Sequence, residues 1–207
     1  MPELLQRHSS LENSELFAGL SAAQLRHMEA SAFTKFYARG QATLLMTDAI
    51  DRVIPLVDGW VKIAQWSEDE REVILRLHGP ADLVGQLALW WEKTHSSAAY
   101  ALQKCNVLVW NSAIFNAALE LLPDLERNTN SIVARRLSKL ECNFREMCTR
   151  TAVPRLARGL VSLSEQLGHK THGSVETNLS PEELGQLTAT SPFEMWRYSE
   201  CESTMGS

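Results

Sequence analysis

The hydrophobic pattern of the chain changes near residue 112, and this change constrains the fold more than any other feature. Between Phe33 and Trp110, short runs rich in Val, Ile, Leu and Trp are separated by turn residues, a spacing typical of an antiparallel barrel or sandwich. From Ala113 to Arg158 the chain contains no glycine and is rich in Leu, Arg, Glu and Asn, which favours helix. We therefore expect an α+β chain in which an antiparallel β-roll is followed by helices.

Local signals place two turns and one helix within the first part of the chain. Asp58-Gly59 lies between two apolar runs, which is the strongest short-range signal for a β-hairpin. A second reversal is expected at the polar stretch Ser67-Glu68-Asp69-Glu70. Upstream, Ser21-Ala22-Ala23-Gln24 has the pattern of a capping box, so a short helix should run from there through Met28.

A stripe of apolar residues follows the predicted long helix. Its members are spaced 4, 3, 4 and 3 residues apart, a heptad alternation that favours a narrow seam against another helix. The stripe consists of Val133, Leu137, Leu140, Phe144 and Met147. The pattern leaves two partners open, which are a second copy of the chain and the chain's own β-roll.

Proline and capping signals divide the rest of the helical region. Pro154 disfavours helical geometry in the residue before it, so we expect a hinge at 151–154 and a new helix from Pro154 to Leu167. Ser180-Pro181-Glu182-Glu183 and Ser191-Pro192-Phe193-Glu194 each combine a serine N-cap, a proline at the first helical position and a glutamate three residues after the serine. Two short helices joined by a brief turn predict a helix-turn-helix unit, although similar helical hairpins occur in enzymes.

The net charge and the cysteine spacing argue against several classes of protein. The net charge of −5 at pH 7 argues against a protein that coats nucleic acid without discrimination. The four cysteines, Cys105, Cys142, Cys148 and Cys201, lack the close spacing of zinc or cluster ligands. No apolar run is long enough to span a membrane, and charged residues occur where a signal peptide would be apolar. We therefore expect a folded cytoplasmic protein without membrane contact.

The order of these parts resembles the CRP/FNR family of bacterial transcription regulators, from about Ser14 to Ser199. Four stretches carry the resemblance, namely LVDGWVKI at 56–63, GPADLVGQLAL at 79–89, ARRL at 134–137 and VPRLARGL at 153–160. The resemblance implies a β-roll (double-stranded β-helix) sensor domain at 1–122, a dimerisation helix at 123–150 and a helix-turn-helix DNA-binding domain at 151–207.

The resemblance also implies an effector pocket, which departs from the family at two positions. In members that sense cyclic nucleotides, the segment matching Gly85 holds the phosphate, helped by a glutamate on the ribose and an arginine on the phosphate. Here Gln86 replaces that glutamate and Ser96 replaces that arginine, and a serine hydroxyl cannot neutralise a phosphate. Cyclic AMP is therefore disfavoured as the effector. The expected pocket residues are Gly85, Gln86, Leu87, Ser96, Ser97, Leu140 and Glu141.

The sequence also bears on two possible cofactors, an iron–sulfur cluster and heme. The iron–sulfur branch binds its cluster through amino-terminal cysteines, and no cysteine precedes Cys105, so a cluster is disfavoured. His95 is a candidate heme ligand or a soft positive partner for an anion. The ordinary alternative is an exposed histidine in a turn. The sequence leaves the effector unidentified.

At the DNA-binding end, the family's base-reading residues match Ser191, Pro192, Phe193 and Arg197. Only Arg197 keeps a side chain that forms two hydrogen bonds with guanine, while the hydroxyls of Ser180 and Ser191 could hold phosphates. The residues after Arg197 lack the β-hairpin wing of the family. We therefore expect weakened DNA binding by a shortened domain.

The sequence as a whole predicts a homodimeric, effector-responsive regulator that binds double-stranded DNA and is not an enzyme. The alternative is a dimeric small-molecule sensor that has lost sequence-specific DNA binding. An enzyme on a cupin-like roll is disfavoured, because the β region contains only His78 and His95 as histidine ligands for a metal.

Overall fold

A computed structural model of the chain describes residues 11–85, 94–167, 170–171, 174–175 and 179–188. These residues fall into two compact units, one within 1–65 and 77–138 and the other within 66–76 and 139–207. The predicted domain boundaries after residues 122 and 150 stay predictions. Several expected site residues lie outside the described residues, namely Gln86, Leu87, Ser191, Pro192, Phe193 and Arg197.

Eight strands in the first part of the chain form two four-stranded sheets. The strands are β1 (Phe33–Tyr37), β2 (Ala42–Leu44), β3 (Arg52–Asp58), β4 (Val61–Trp66), β5 (Glu72–His78), β6 (Leu83–Val84), β7 (Ala98–Ala101) and β8 (Cys105–Asn111). One sheet has the order β1-β8-β3-β6, and the other has the order β2-β7-β4-β5. Pairing is antiparallel between β8 and both of its neighbours and between β7 and both of its neighbours. This arrangement confirms the predicted antiparallel β-roll.

Both predicted reversals are present. Gly59 joins β3 to β4 with φ +100°, and a Cβ atom added there would lie 2.6 Å from Cys105 Sγ. Only glycine fits this turn, because L residues rarely adopt that φ and no side chain has space. At the second reversal the amide of Glu70 donates to the carbonyl oxygen of Ser67 over 3.0 Å.

A short helical segment precedes the strands. It contains a 3-10 turn at Glu15–Phe17 and helix α1 at Ala22–Ala30. The capping box of α1 is formed as predicted, since the side chains of Ser21 and Gln24 each accept a hydrogen bond from the other residue's backbone amide. The helix continues two residues beyond the predicted end at Met28.

Trp110 on β8 anchors this segment to the roll. Its indole is fully buried, and Nε1 donates to the carbonyl oxygen of Met28 at 2.9 Å and to Ser31 Oγ at 3.0 Å. The ring centroids of Phe17 and Phe115 lie 5.6 and 6.4 Å from that of Trp110. The core around Trp110 includes Leu11, Leu16, Leu25, Val53, Leu108, Leu125 and Ile132.

The helical region consists of α2 (Ser112–Leu121), α3 (Pro123–Thr149), α4 (Ala152–Leu167) and α5 (Pro181–Thr188). Between α4 and α5, Lys170–Thr171 pairs with Ser174–Val175 as a two-residue antiparallel ladder. The predicted long helix is thus present as α3. No helix among the described residues is long and apolar enough to cross a membrane.

The expected start of α4 at Pro154 is wrong. The helix begins at Ala152, so Val153 is helical and Pro154 occupies the first turn. Proline is tolerated there because the first amides of a helix have no intrahelical acceptor. The break between helices lies at Arg150 and Thr151.

Candidate functional site

Gly85 stands at the point where the expected effector segment leaves the sheet. Strand β6, just before it, is buried and pairs with β3 through Val84 opposite Ile54. Gly85 has φ +85°, and an added Cβ would lie 2.7 Å from Leu44 Cδ2 and 3.2 Å from His95 Cε1. A side chain at this position would therefore clash with the apolar interior of the roll.

His95 packs against Gly85 and is buried, with 6% of its surface exposed. The expectation of an exposed turn histidine is therefore wrong. Its amide donates to the carbonyl oxygen of Asp48, and its own carbonyl oxygen accepts from the amide of Thr47, both over 2.9 Å. The buried Nδ1 atom has no hydrogen-bond partner among the described residues.

Burial disfavours the charged form of the His95 ring. Burial lowers the pKa of His95, because an imidazolium loses hydration there, and the carboxylates of Asp48 and Asp51 offset part of this effect. A neutral imidazole with an unpaired buried nitrogen can donate or accept one hydrogen bond. The ring is therefore able to recognise a polar group placed next to Gly85.

Arg136 of helix α3 brings a positive charge to the same segment. Its Nη1 donates to the carbonyl oxygen of Gly85 over 2.9 Å, and its Nη2 donates to the carbonyl oxygen of Leu83. The sequence pattern places Arg136 on the long helix but does not indicate this contact. The contact joins residues 51 positions apart in the chain, so no local spacing could indicate it.

The loop before Gly85 is held by a network around Asp82. Asp82 Oδ2 accepts from the amide of Gly79 at 2.9 Å and lies 3.6 Å from His78 Nδ1. Burial raises the pKa of Asp82, but the hydrogen bond and charge of His78, the Gly79 amide and the charge of Arg136 outweigh it, so the net shift is downward. The carboxylate therefore stays ionised close to the candidate pocket.

The other expected pocket residues are only partly brought together. Ser97 is buried, and Gln65 Nε2 donates to its hydroxyl at 3.2 Å and to the Ser96 carbonyl oxygen at 3.0 Å. Leu140 and Glu141 are exposed on α3 and belong to the other compact unit. Among the described residues, no group of three or more His, Cys, Asp or Glu side chains could hold a metal ion.

The heptad stripe of α3 is exposed to solvent. Val133, Leu137, Leu140, Phe144 and Met147 have exposed fractions of 38, 56, 50, 63 and 46%. A different face of the helix is buried, through Leu125, Thr129 and Ile132. These five side chains are therefore exposed in the single chain.

The first of the two serine-capped helices is formed as predicted. The amide of Glu183 donates to Ser180 Oγ at 3.1 Å, and the amide of Ser180 donates to Glu183 Oε2 at 2.9 Å. Helix α5 then runs to Thr188. The second helix, expected from Pro192, lies outside the described residues.

Comparisons with known proteins connect these features to characterised relatives. The family model "Cyclic nucleotide-binding domain" matches residues 34–121. The "CRP-like cAMP-activated global transcriptional regulator" of Mycobacterium tuberculosis is 22% identical over 183 residues, which cover 87% of this chain and 82% of that protein.

Solved structures show the same architecture. The c-di-GMP responsive global regulator CLP of Xanthomonas campestris aligns with a TM-score of 0.79 and 18% identity, covering 90% of this chain and 93% of that one. The N-terminal domain of a transcriptional regulator from Streptomyces coelicolor aligns with a TM-score of 0.53 and 30% identity, covering 64% of this chain and 92% of that one.

Proposed function

The chain belongs to the CRP/FNR family of transcription regulators, and on this premise we propose that it is a homodimer whose affinity for DNA is set by a small effector. The exposed stripe of α3 is the observation that carries the proposal. Family membership alone leaves the dimer, the effector and the DNA contacts open.

Dimer formation follows from the hydrophobic effect. The five stripe residues extend along one edge of α3 and are 38–63% exposed in the single chain. A row of apolar side chains with a period of 3.5 residues is covered when a second helix packs beside it with the same repeat. A second copy of the chain supplies such a helix, and burial of the two stripes supplies the driving force for association.

The effector would act through the pocket next to Gly85. Arg136 hydrogen-bonds the backbone of that segment and lies in the same helix as the seam. An effector that binds at Gly85, Gln86, Leu87, Ser96 and Ser97 therefore competes with Arg136 or moves its acceptors, and either event changes how α3 is held. The result is a shift between two populations of the dimer.

The effector is expected to differ from cyclic AMP. Arg136 already donates to two carbonyl groups, and Ser96 cannot supply the cation that a cyclic phosphate needs. His95 Nδ1 offers a neutral partner at the same place. The family resemblance also implies effector contacts from Leu140 and Glu141 of α3.

DNA binding is assigned to the helix-turn-helix that begins at α5. Ser180 and Ser191 would contact phosphates, while Pro192, Phe193 and Arg197 would face base edges in the major groove. A two-fold dimer presents two such helices to half-sites about 34 Å apart. DNA binding should therefore require the dimer.

Selection from a random duplex library with the full chain tests this function. We expect a palindrome with half-sites one helical turn apart, in a complex that weakens as salt rises. A Phe144→Glu variant, which disrupts the seam, should no longer select a palindromic sequence. If the wild-type dimer enriches no sequence, the DNA-binding proposal fails, and the protein is better described as a dimeric sensor.

A further inference from the structure

The N-terminal half of α4 holds the last residue of α5. Arg155 Nε donates to the carbonyl oxygen of Thr188 over 3.3 Å, and Arg155 Nη1 donates to the carbonyl oxygen of Arg150 over 2.8 Å. Thr188 ends α5, and Arg150 follows the last residue of α3. The final carbonyls of a helix lack intrahelical donors and carry partial negative charge. One guanidinium therefore caps two helix ends at once.

A close approach of the Thr188 side chain to Gly159 supports the same contact independently. Gly159 lies one turn after Arg155 on α4, and a Cβ atom added to it would lie 2.3 Å from Thr188 Cγ2. Thr188 is buried, and its hydroxyl donates to the carbonyl oxygen of Leu184 at 2.9 Å. Glycine at position 159 is thus needed for α5 to approach α4 this closely.

A third contact ties α4 to the end of α3. Arg158 Nη1 lies 2.7 Å from Glu146 Oε1, and the carboxylate side chain is only 12% exposed. Glu146, Arg158 and Thr188 belong to one compact unit. The end of α3, the start of α4 and the end of α5 are therefore connected by charged or close contacts.

We propose that Arg155 is a positioning residue for the recognition helix. The sequence predicts a turn after Thr188 and a helix from Pro192, so in the proposed DNA-binding domain the contact that holds Thr188 would set where that helix starts. Because Arg155 also holds the carbonyl of Arg150, a movement at the end of α3 is passed to Thr188 through one side chain. This inference rests on the proposed DNA-binding function.

Hydrogen–deuterium exchange of the full chain tests the contact itself. Arg155→Gln removes the guanidinium, so amide exchange in α5 and at the end of α3 should accelerate about tenfold. Lys139→Gln, which removes an exposed positive charge from α3, serves as the control and should leave exchange unchanged. Equal exchange in Arg155→Gln and Lys139→Gln would overturn the proposal.

A pair of substitutions separates the contact from a general loss of stability. Gly159→Ala should accelerate exchange in α5, because the new methyl group overlaps Thr188 Cγ2. Adding Thr188→Ser removes Cγ2 but keeps the hydroxyl, and it should restore slow exchange. Failure of this rescue would show that Gly159 and Thr188 do not act together, which would also contradict the proposal.

DNA selection supplies the functional readout. The Arg155→Gln dimer should select half-sites whose spacing is broader than that of the wild type, while Arg155→Lys should lie between the two. Unchanged spacing with accelerated exchange would contradict the positioning role. If the wild type selects no DNA, the proposed function fails, whereas the exchange and rescue results still decide whether Arg155 holds Thr188.

Discussion

The guanidinium of Arg136 and the carbonyl oxygen of Gly85 lie 2.9 Å apart, in a hydrogen bond between the long helix and the expected effector segment. The same side chain also donates to the carbonyl oxygen of Leu83. Because the donor is charged, these bonds are stronger than neutral ones. Any ligand that displaces Arg136 must therefore compensate for their loss.

Replacing Arg136 should cost stability, whereas replacing its neighbour should not. Arg136→Gln leaves the Leu83 and Gly85 carbonyls without their charged donor, so we expect the free energy of unfolding to fall by about 2 kcal/mol. Arg135 pairs with Glu15 at the surface, and Arg135→Gln should cost less than about 1 kcal/mol. Urea denaturation measures both values, and equal losses would contradict the role given to Arg136.

A charge on the seam should dissociate the dimer. Phe144 is 63% exposed in the single chain, so Phe144→Glu should convert the protein to monomers at micromolar concentration without lowering the stability of the monomer. Sedimentation velocity gives the mass. Ile114, which is 48% exposed on α2, provides the control, and Ile114→Glu should remain dimeric. A wild type that sediments as a monomer would refute the proposed association.

His95 should make stability depend on pH in a predictable direction. Because burial lowers its pKa below the ordinary value of 6.5, the unfolded chain binds a proton at a pH where the folded chain does not. Stability should therefore fall as pH drops below about 6.5 and level off once pH passes the lower pKa of the folded state. Urea denaturation between pH 7.5 and about 5 measures this curve.

Two variants assign the pH effect to one histidine. His95→Gln should flatten the curve, because the titrating group is gone. His27→Gln, at an exposed position in the last turn of α1, serves as the matched control. If His95→Gln and the wild type lose stability in parallel, the pH dependence arises elsewhere.

The turn between β3 and β4 should not tolerate a side chain. Gly59→Ala places a Cβ atom 2.6 Å from Cys105 Sγ and 2.7 Å from the Lys104 carbonyl oxygen, so we expect a loss of about 3 kcal/mol from strain and overlap. Gly40 also has a positive φ, of +78°, but an added Cβ there meets nothing within 4 Å. Gly40→Ala should cost about 1 kcal/mol, and thermal denaturation of the pair separates overlap from backbone strain.

Local chemistry made part of this structure predictable from the sequence. The capping boxes at Ser21 and Ser180 and the reversal at Gly59 each depend on residues fewer than five positions apart. The heptad stripe was found by its period alone. Such features can be predicted from sequence because each is formed by neighbouring residues within a single helix or turn.

Long-range pairing explains what the sequence did not indicate. His95 is buried because Thr47 and Asp48 pair with its backbone, and Arg136 reaches the carbonyl oxygen of Gly85 because the first half of α3 packs on the Trp110 core. No short-range pattern in the sequence indicates either contact. Helix α4 starts at Ala152 and not at Pro154, because the steric preference before proline is weaker than the helical tendency of the first turn.

The continuity of α3 restricts how this protein can vary between lineages. The apolar stripe from Val133 to Met147 follows one edge of an unbroken helix of 27 residues. Each added residue in a helix turns everything after it by about 100°. Exchanges of one amino acid for another on its outer surface are therefore compatible with the fold, whereas a single insertion or deletion inside the stripe would turn its two parts onto different edges of the helix.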